Sequence, residues 1–97
     1  MELLKTGVAG TLESGDIYVE VEKCDGGVTI ELDSTVLNLY GRQIREVITE
    51  TVKKNGIDNV RITATDKGAL DCTIRARVGA AAFRAAESTD FAWEVRK

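Results

Sequence analysis

The sequence predicts an α+β fold: an antiparallel hairpin plus a third strand packed on a long helix, with a second helix near the C-terminus. Three observations carry this. Apolar residues alternate at period two in residues 17–23, 28–32 and 59–65, the spacing of half-buried strands. From Leu37 to Thr51 the apolar period lengthens to that of a helix face. Residues 80–86 are rich in alanine, the best helix former.

In the first alternating segment Ile17, Val19 and Val21 face one way and Tyr18, Glu20 and Glu22 the other. Cys24-Asp25-Gly26-Gly27 follows, and Asp-Gly and Gly-Gly are strong hairpin signals. Val28, Ile30 and Leu32 then alternate again, so residues 17–32 read as an antiparallel hairpin whose apolar face needs a cover. A helix starting near Ser34 supplies it. Asp33 or Ser34 is a good N-cap, because its side-chain oxygen can accept from a free amide of the first turn. Leu37, Tyr40, Ile44, Val47, Ile48 and Thr51 recur at helical spacing. Lys53 and Lys54 suit the negative end of the helix dipole, and Gly56 suits a stop. Gly41 inside the helix costs about 1 kcal/mol relative to alanine, which close packing would explain.

Asn59 to Thr65 read as the third strand, and Asp66-Lys67-Gly68 as a turn. The next segment has two readings. Leu70, Cys72, Ile74, Ala76 and Val78 alternate like a strand reaching about Val78. Ile74, Val78, Ala81, Ala82 and Ala85 also form a helical stripe. The alanine content favours a helix from about Asp71 to Glu87, with Asp71 as N-cap. Residues 88–97 read as a mobile tail that Phe91 and Trp93 could dock on the domain or a partner.

Ninety-seven residues make one domain, and a hydrophobic fraction of 43% is consistent with one modest core. Sixteen acidic residues against thirteen basic ones give a net charge of −3. That argues against nucleic acid, whose phosphates require a basic footprint. No apolar run approaches the roughly 20 residues that span a bilayer. Met1-Glu2-Leu3-Leu4-Lys5-Thr6 lacks the basic region and apolar stretch of a secretory signal. The expectation is a cytoplasmic protein with no membrane partner. Cys24 and Cys72 form no Cys-x-x-Cys pair. Both are expected as reduced thiols, Cys72 packed and Cys24 near a turn, although a disulfide between them stays open.

The chain has no histidine. This removes the side chain most used for acid–base work near neutral pH, the Ser-His and Cys-His nucleophile pairs, and His-based metal sites. No catalytic residue and no metal-ligand cluster stands out. What does stand out is Gly10-Thr11-Leu12-Glu13-Ser14-Gly15-Asp16. Ser14 precedes a glycine that tolerates unusual backbone angles and crowds nothing, and Asp16 can bond the local backbone to hold a turn. The stretch offers a serine on a flexible loop. Taken alone, such a turn more often merely joins two elements.

A second motif changes the weighting. Asp66-Lys67-Gly68-Ala69-Leu70-Asp71-Cys72, followed by Ile74-Arg75-Ala76-Arg77, joins Val8-Ala9-Gly10-Thr11-Leu12-Glu13-Ser14-Gly15-Asp16 in a pattern that closely resembles the citrate lyase acyl carrier protein, the gamma subunit. Length, motif order and the late Trp93 agree over nearly the whole chain. The resemblance implies that Ser14 carries phosphoribosyl-dephospho-CoA (phosphoribosyl-dephospho-coenzyme A) through a phosphodiester, placed there by a prosthetic-group transferase. It implies a non-catalytic carrier of acetyl and citryl as thioesters, serving the transferase (alpha) and lyase (beta) subunits. A serine without a base is a poor nucleophile, which suits a residue that another enzyme must activate. The Asp-Ser-Leu attachment motif of ordinary helical acyl carriers is absent.

Two alternatives stay open: the related carrier of a malonate-decarboxylase-type complex, and a structural adaptor that only bridges larger subunits. Arg75, Arg77 and Arg84 are candidates for contacts to the phosphates of a nucleotide-like group or to an acidic partner. Arg77 and Arg84, seven apart, would share a helical face. A solvated basic face is the plainer reading.

Overall fold

The computed structural model describes residues 3–34 and 37–86, with side chains in the first helix from Tyr40 onward. The elements are β1 (Gly7–Ala9), β2 (Ile17–Lys23), β3 (Val28–Ser34), α1 (Leu37–Lys54), β4 (Val60–Asp66) and α2 (Asp71–Ala85). The α+β class, the long helix and the second, C-terminal helix all stand.

The pairing of the strands differs from the expected hairpin. The sheet order is β1-β2-β4-β3, so β4 lies between β2 and β3. It runs antiparallel to β2 and parallel to β3. Lys23 and Val28 flank Val60 from opposite sides. Residues 24–27 must therefore cross two strand spacings, about 10 Å, where a hairpin turn crosses one. The Val60 amide donates to the Gly27 carbonyl (3.1 Å), and the Gly27 amide donates to Asn59 Oδ1 (3.0 Å), fastening this connection to the start of β4. A glycine-rich tight turn and a glycine-rich wide loop read alike. The third strand enters from more than thirty residues downstream, and alternation carries no information about such an insertion.

Register sets the two faces. Val21, Ile62 and Ile30 form one row across the sheet, and Val19, Ala64 and Leu32 the next. Both rows face the helices. Tyr18, Thr65 and Asp33, and then Glu20, Thr63 and Glu31, form the rows of the opposite, polar face. Helix α2 packs on β1 and β2, α1 packs on β3, and the helices meet each other. The core is thus one apolar layer between a sheet face and two helices.

From Tyr40 onward the buried positions of α1 are Gly41, Ile44, Val47, Ile48, Thr51 and Val52; the side chain of Leu37, also expected in the stripe, lies outside the described residues. Tyr40, expected in the stripe, is 51% exposed. At about 100° per residue Tyr40 falls within the buried arc, between Val47 and Thr51, so its exposure follows from its place near the start of α1 and not from helix phase. Asp33 and Ser34 are the last two residues of β3, and the Ser34 hydroxyl donates to Asp66 Oδ2 at 2.8 Å; α1 begins at Leu37, and the two residues before it lie outside the described residues. The helix end follows the glycine signal closely. Gly56 adopts φ 71°, its amide donates to the Lys53 carbonyl (3.0 Å), and the Ile57 amide donates to the Val52 carbonyl (3.0 Å). This is the paired bonding of a Schellman stop, with Ile57 and Val52 buried together.

Residues 71–85 are helix, not strand, and the expected stripe of Ile74, Val78, Ala81, Ala82 and Ala85 is fully buried. Asp71 is the first helical residue rather than the cap. Leu70 occupies the cap position without a side-chain bond, and Asp71 acts through its charge at the positive end of the helix. The helix ends at Ala85, with Ala86 as C-cap; Glu87 and the expected tail with Phe91 and Trp93 lie outside the described residues. Both cysteines are free thiols, and Cys72 is exposed rather than packed because it falls on the outer side of α2.

Strand β1 carries no readable signal, since three residues are too few for a period. A Cβ on its Gly7 would lie 2.1 Å from the Ala81 carbonyl oxygen, so the absent side chain lets α2 close onto the sheet edge. The Leu4 and Lys5 amides donate to the Ala85 carbonyl (2.8 and 2.9 Å), which ties the chain before β1 to the end of α2.

Candidate functional site

The loop between β1 and β2 holds the serine singled out above. At its base Gly10 has φ 94°, and a Cβ there would lie 1.8 Å from the Ile17 carbonyl oxygen. Only glycine fits that closure. At its tip the Asp16 amide donates to the Glu13 carbonyl (3.1 Å), enclosing Ser14 and Gly15 in a four-residue turn. Gly15 has φ 86°, the positive angle a type II turn requires at its third position. Ser14 stands at the outer corner and is exposed. A Cβ on Gly15 would meet nothing within 4 Å, so the space beside the serine is open.

Asp16 organises this loop. Its Oδ2 accepts from Thr11 Oγ1 (2.7 Å) and its Oδ1 from the Ile17 amide (2.7 Å). Arg77, on α2, donates through Nε and Nη2 to the two carboxylate oxygens at 2.9 Å each. Such a two-pronged charged pair is directional as well as strong. The loop is bonded to its other neighbour too: the Gly15 amide donates to the Lys67 carbonyl (2.7 Å), and the Lys67 amide to the Asp16 carbonyl (2.9 Å). The expected flexible loop is therefore a braced one. Its serine is free, but the backbone around it is held by α2 and by the end of β4.

The bonds from Arg77, then Thr11 and the Ile17 amide, lower the Asp16 pKa from 3.8 to about 2. A carboxylate held so low is a poor proton acceptor, so Asp16 positions Ser14 and does not activate it. The shift also fixes a pH dependence. Because the folded value is depressed, the stabilisation is complete above about pH 4 and is lost as pH falls through about 2. The Gly15, Ile17 and Arg77 Nε–H resonances are expected to move together with a midpoint near 2, and Asp16→Asn is expected to remove that transition. A midpoint near 4 in the wild type would show that Arg77 does not hold the carboxylate in solution.

The three arginines separate. Arg77 is committed to Asp16. Arg84 reaches the same side of the sheet and donates through Nη1 to the Val8 carbonyl at 2.7 Å. Arg75 is exposed and makes no hydrogen bond or ion pair among the described residues. Sequence reasoning gave Asp16 a local turn role and missed its bond to Arg77. The two are 61 positions apart, and only their presence in the two halves of one motif pattern hinted at it.

Asp66, at the opposite side of the loop, is 1% exposed. Its oxygens accept from Ser34 Oγ (2.8 Å) and from the Gly68 and Ala69 amides (3.1 and 3.0 Å). It fixes the turn that leads into α2, directly behind the Lys67 carbonyl that holds Gly15. The second motif is thus the scaffold on which the first one rests.

Comparison with known proteins follows the same line. A family model described as ACP, malonate decarboxylase delta subunit (MdcD), matches residues 4–85. The citrate lyase acyl carrier protein of Lactobacillus acidophilus is 59% identical over 90 residues, 93% of each chain. That of Lactiplantibacillus plantarum is 53% identical over 98% of this chain and 99% of its own, and that of Escherichia fergusonii 46% over 96% and 97%. Among solved structures, a chain of a Pseudomonas malonate decarboxylase hetero-tetramer in complex with malonate superposes with a TM-score of 0.68 at 19% identity, covering 87% of this chain and 91% of that one. That likeness shows a shared fold. Among the described residues no helix is long and apolar enough to cross a membrane.

Proposed function

The chain belongs to the citrate lyase acyl carrier proteins, and on that premise we propose that it carries the acyl group of a citrate lyase complex on an arm joined to Ser14. The observation that supports the reading most is the Ser14 turn: an unencumbered hydroxyl at an outer corner, on a backbone braced from two sides. The arm is phosphoribosyl-dephospho-CoA, whose terminal thiol supplies a thioester that makes acyl exchange and cleavage easier. The residues fit such a group. Ser14 provides the oxygen for a phosphodiester, and the open space at Gly15 leaves room for the substituent.

Each residue of the site has a part in this reading. Thr11, Asp16 and Arg77 keep the turn in the shape a modifying transferase meets. Gly10 and Gly15 permit that shape. With no histidine in the chain and Asp16 tied down, Ser14 depends on the transferase for its deprotonation. Arg75 is the arginine free to meet a phosphate or an acidic surface of the alpha or beta subunit. The chain itself is not an enzyme; it keeps one acyl group at high effective concentration for two active sites. The malonate decarboxylase reading is weaker, because the shared fold at 19% identity carries no substrate, whereas a citrate lyase acyl carrier protein is 59% identical over 93% of the chain.

Reconstitution tests the function. Alpha and beta subunits mixed with the modified chain should cleave citrate, and the unmodified chain should support none. If both forms restore cleavage equally, the chain is a structural adaptor.

A further inference from the structure

We infer that a cleft beside the Ser14 turn receives the end of the arm while that end is uncharged, and excludes it when the acyl group bears carboxylates. The inference rests on the attachment proposed above and extends it to what this chain does with its cargo.

The cleft, of about 440 Å³, opens between the start of α1 and the start of α2. This is within the range of small-ligand sites. Tyr40, Ile44, Ala69 and Leu70 give it apolar walls. Leu70 is 71% and Tyr40 51% exposed, two large side chains offered to solvent at one opening. Exposed apolar residues scattered singly are ordinary, whereas these two share one concave surface. The cleft is joined to the Ser14 turn by the backbone itself: Lys67, bonded to Gly15 and Asp16, immediately precedes its rim at Gly68 and Ala69. Ser14 immediately precedes Gly15, whose amide donates to the Lys67 carbonyl, so the attachment point and the rim are neighbours through that bond.

Its charge gives the selection. Among the described residues, the charged ones that line it are Asp66 and Asp71. Both carboxylates are already held, Asp66 by the Gly68 and Ala69 amides and Asp71 by Gln43 Nε2 at 3.1 and 3.2 Å. The partial positive charge at the start of α2 is met by Asp71 itself. A thiol or an acetyl thioester buries apolar surface there and meets no opposing charge. An acyl group with ionised carboxylates meets two like charges next to an apolar wall. The arm would therefore rest on its own carrier when it ends in thiol or acetyl, and stand free when loaded with a carboxylate-bearing acyl group.

The test compares amide and methyl resonances of the full chain in four states: unmodified, modified with free thiol, acetylated, and succinylated on that thiol. The mass of each sample, localised by peptide, is recorded first. Shifts at Tyr40, Ile44, Ala69 and Leu70 are expected in the thiol and acetyl forms and are expected to be lost in the succinyl form. Leu70→Gln, an exposed position, should abolish those shifts without unfolding the chain. An adduct on Ser14 with shifts confined to residues 10–16 overturns the cleft and leaves the attachment intact. Equal shifts in the acetyl and succinyl forms overturn the selection by charge. No adduct on Ser14 overturns the attachment, and this inference with it.

Discussion

Ser14→Ala is expected to abolish attachment of the prosthetic group and to leave the fold unchanged. The serine is exposed at a turn corner, and the bonds that shape the turn run through the backbone of residues 13, 15 and 16 and the side chains of Thr11 and Asp16. Alanine removes the hydroxyl alone, and surface changes of this kind stay within about 0.5 kcal/mol. Thr11 does not substitute for it. Its hydroxyl donates to Asp16 and accepts from the Glu13 amide at 3.2 Å, and its Cβ is branched. The check is to incubate wild type and variant with the transferase and activated cofactor and weigh both. A variant that gains the adduct removes Ser14 from its role. A variant that gains none yet restores citrate cleavage removes the carrier mechanism.

Ile44→Ala is expected to cost about 2–5 kcal/mol, the range for deleting a buried aliphatic side chain. Ile44 is 4% exposed and lies with Val47 and Ile48 on the face of α1 that meets the sheet and α2. Single domains of this size are stable by only about 5–15 kcal/mol, so the loss is a large share of the total. Urea denaturation reads it directly. A loss under about 1 kcal/mol would mean the neighbouring helices collapse onto the vacated space.

The parts of the fold that were legible in the sequence are those governed by neighbours along the chain. The alternation of Ile17, Val19 and Val21, the stripe from Ile74 to Ala85 and the Gly56 stop are local patterns, and the structure follows each of them. The parts that were not legible depend on residues far apart. Insertion of β4 between β2 and β3 is decided by which apolar rows match across the sheet, and Lys23 and Val28 give no sign that Val60 will separate them. The same holds at the site. Ser14, Gly15 and Asp16 could be read as a presented serine on a turn, but the brace through Arg77 and Lys67 could not. Asp33 and Ser34 have the chemistry of helix caps, yet the register with β4 draws them into β3 as partners of Thr65 and Asp66.

Whether Ser14 carries the arm can be read by peptide-level mass spectrometry of the chain isolated from an active citrate lyase complex. A phosphoribosyl-dephospho-CoA adduct is expected on the peptide spanning β1 to β2, with fragment ions placing it on Ser14 and leaving Thr11 unmodified. An active complex whose carrier bears no adduct, or bears it on any other residue, would show that Ser14 is not the attachment site.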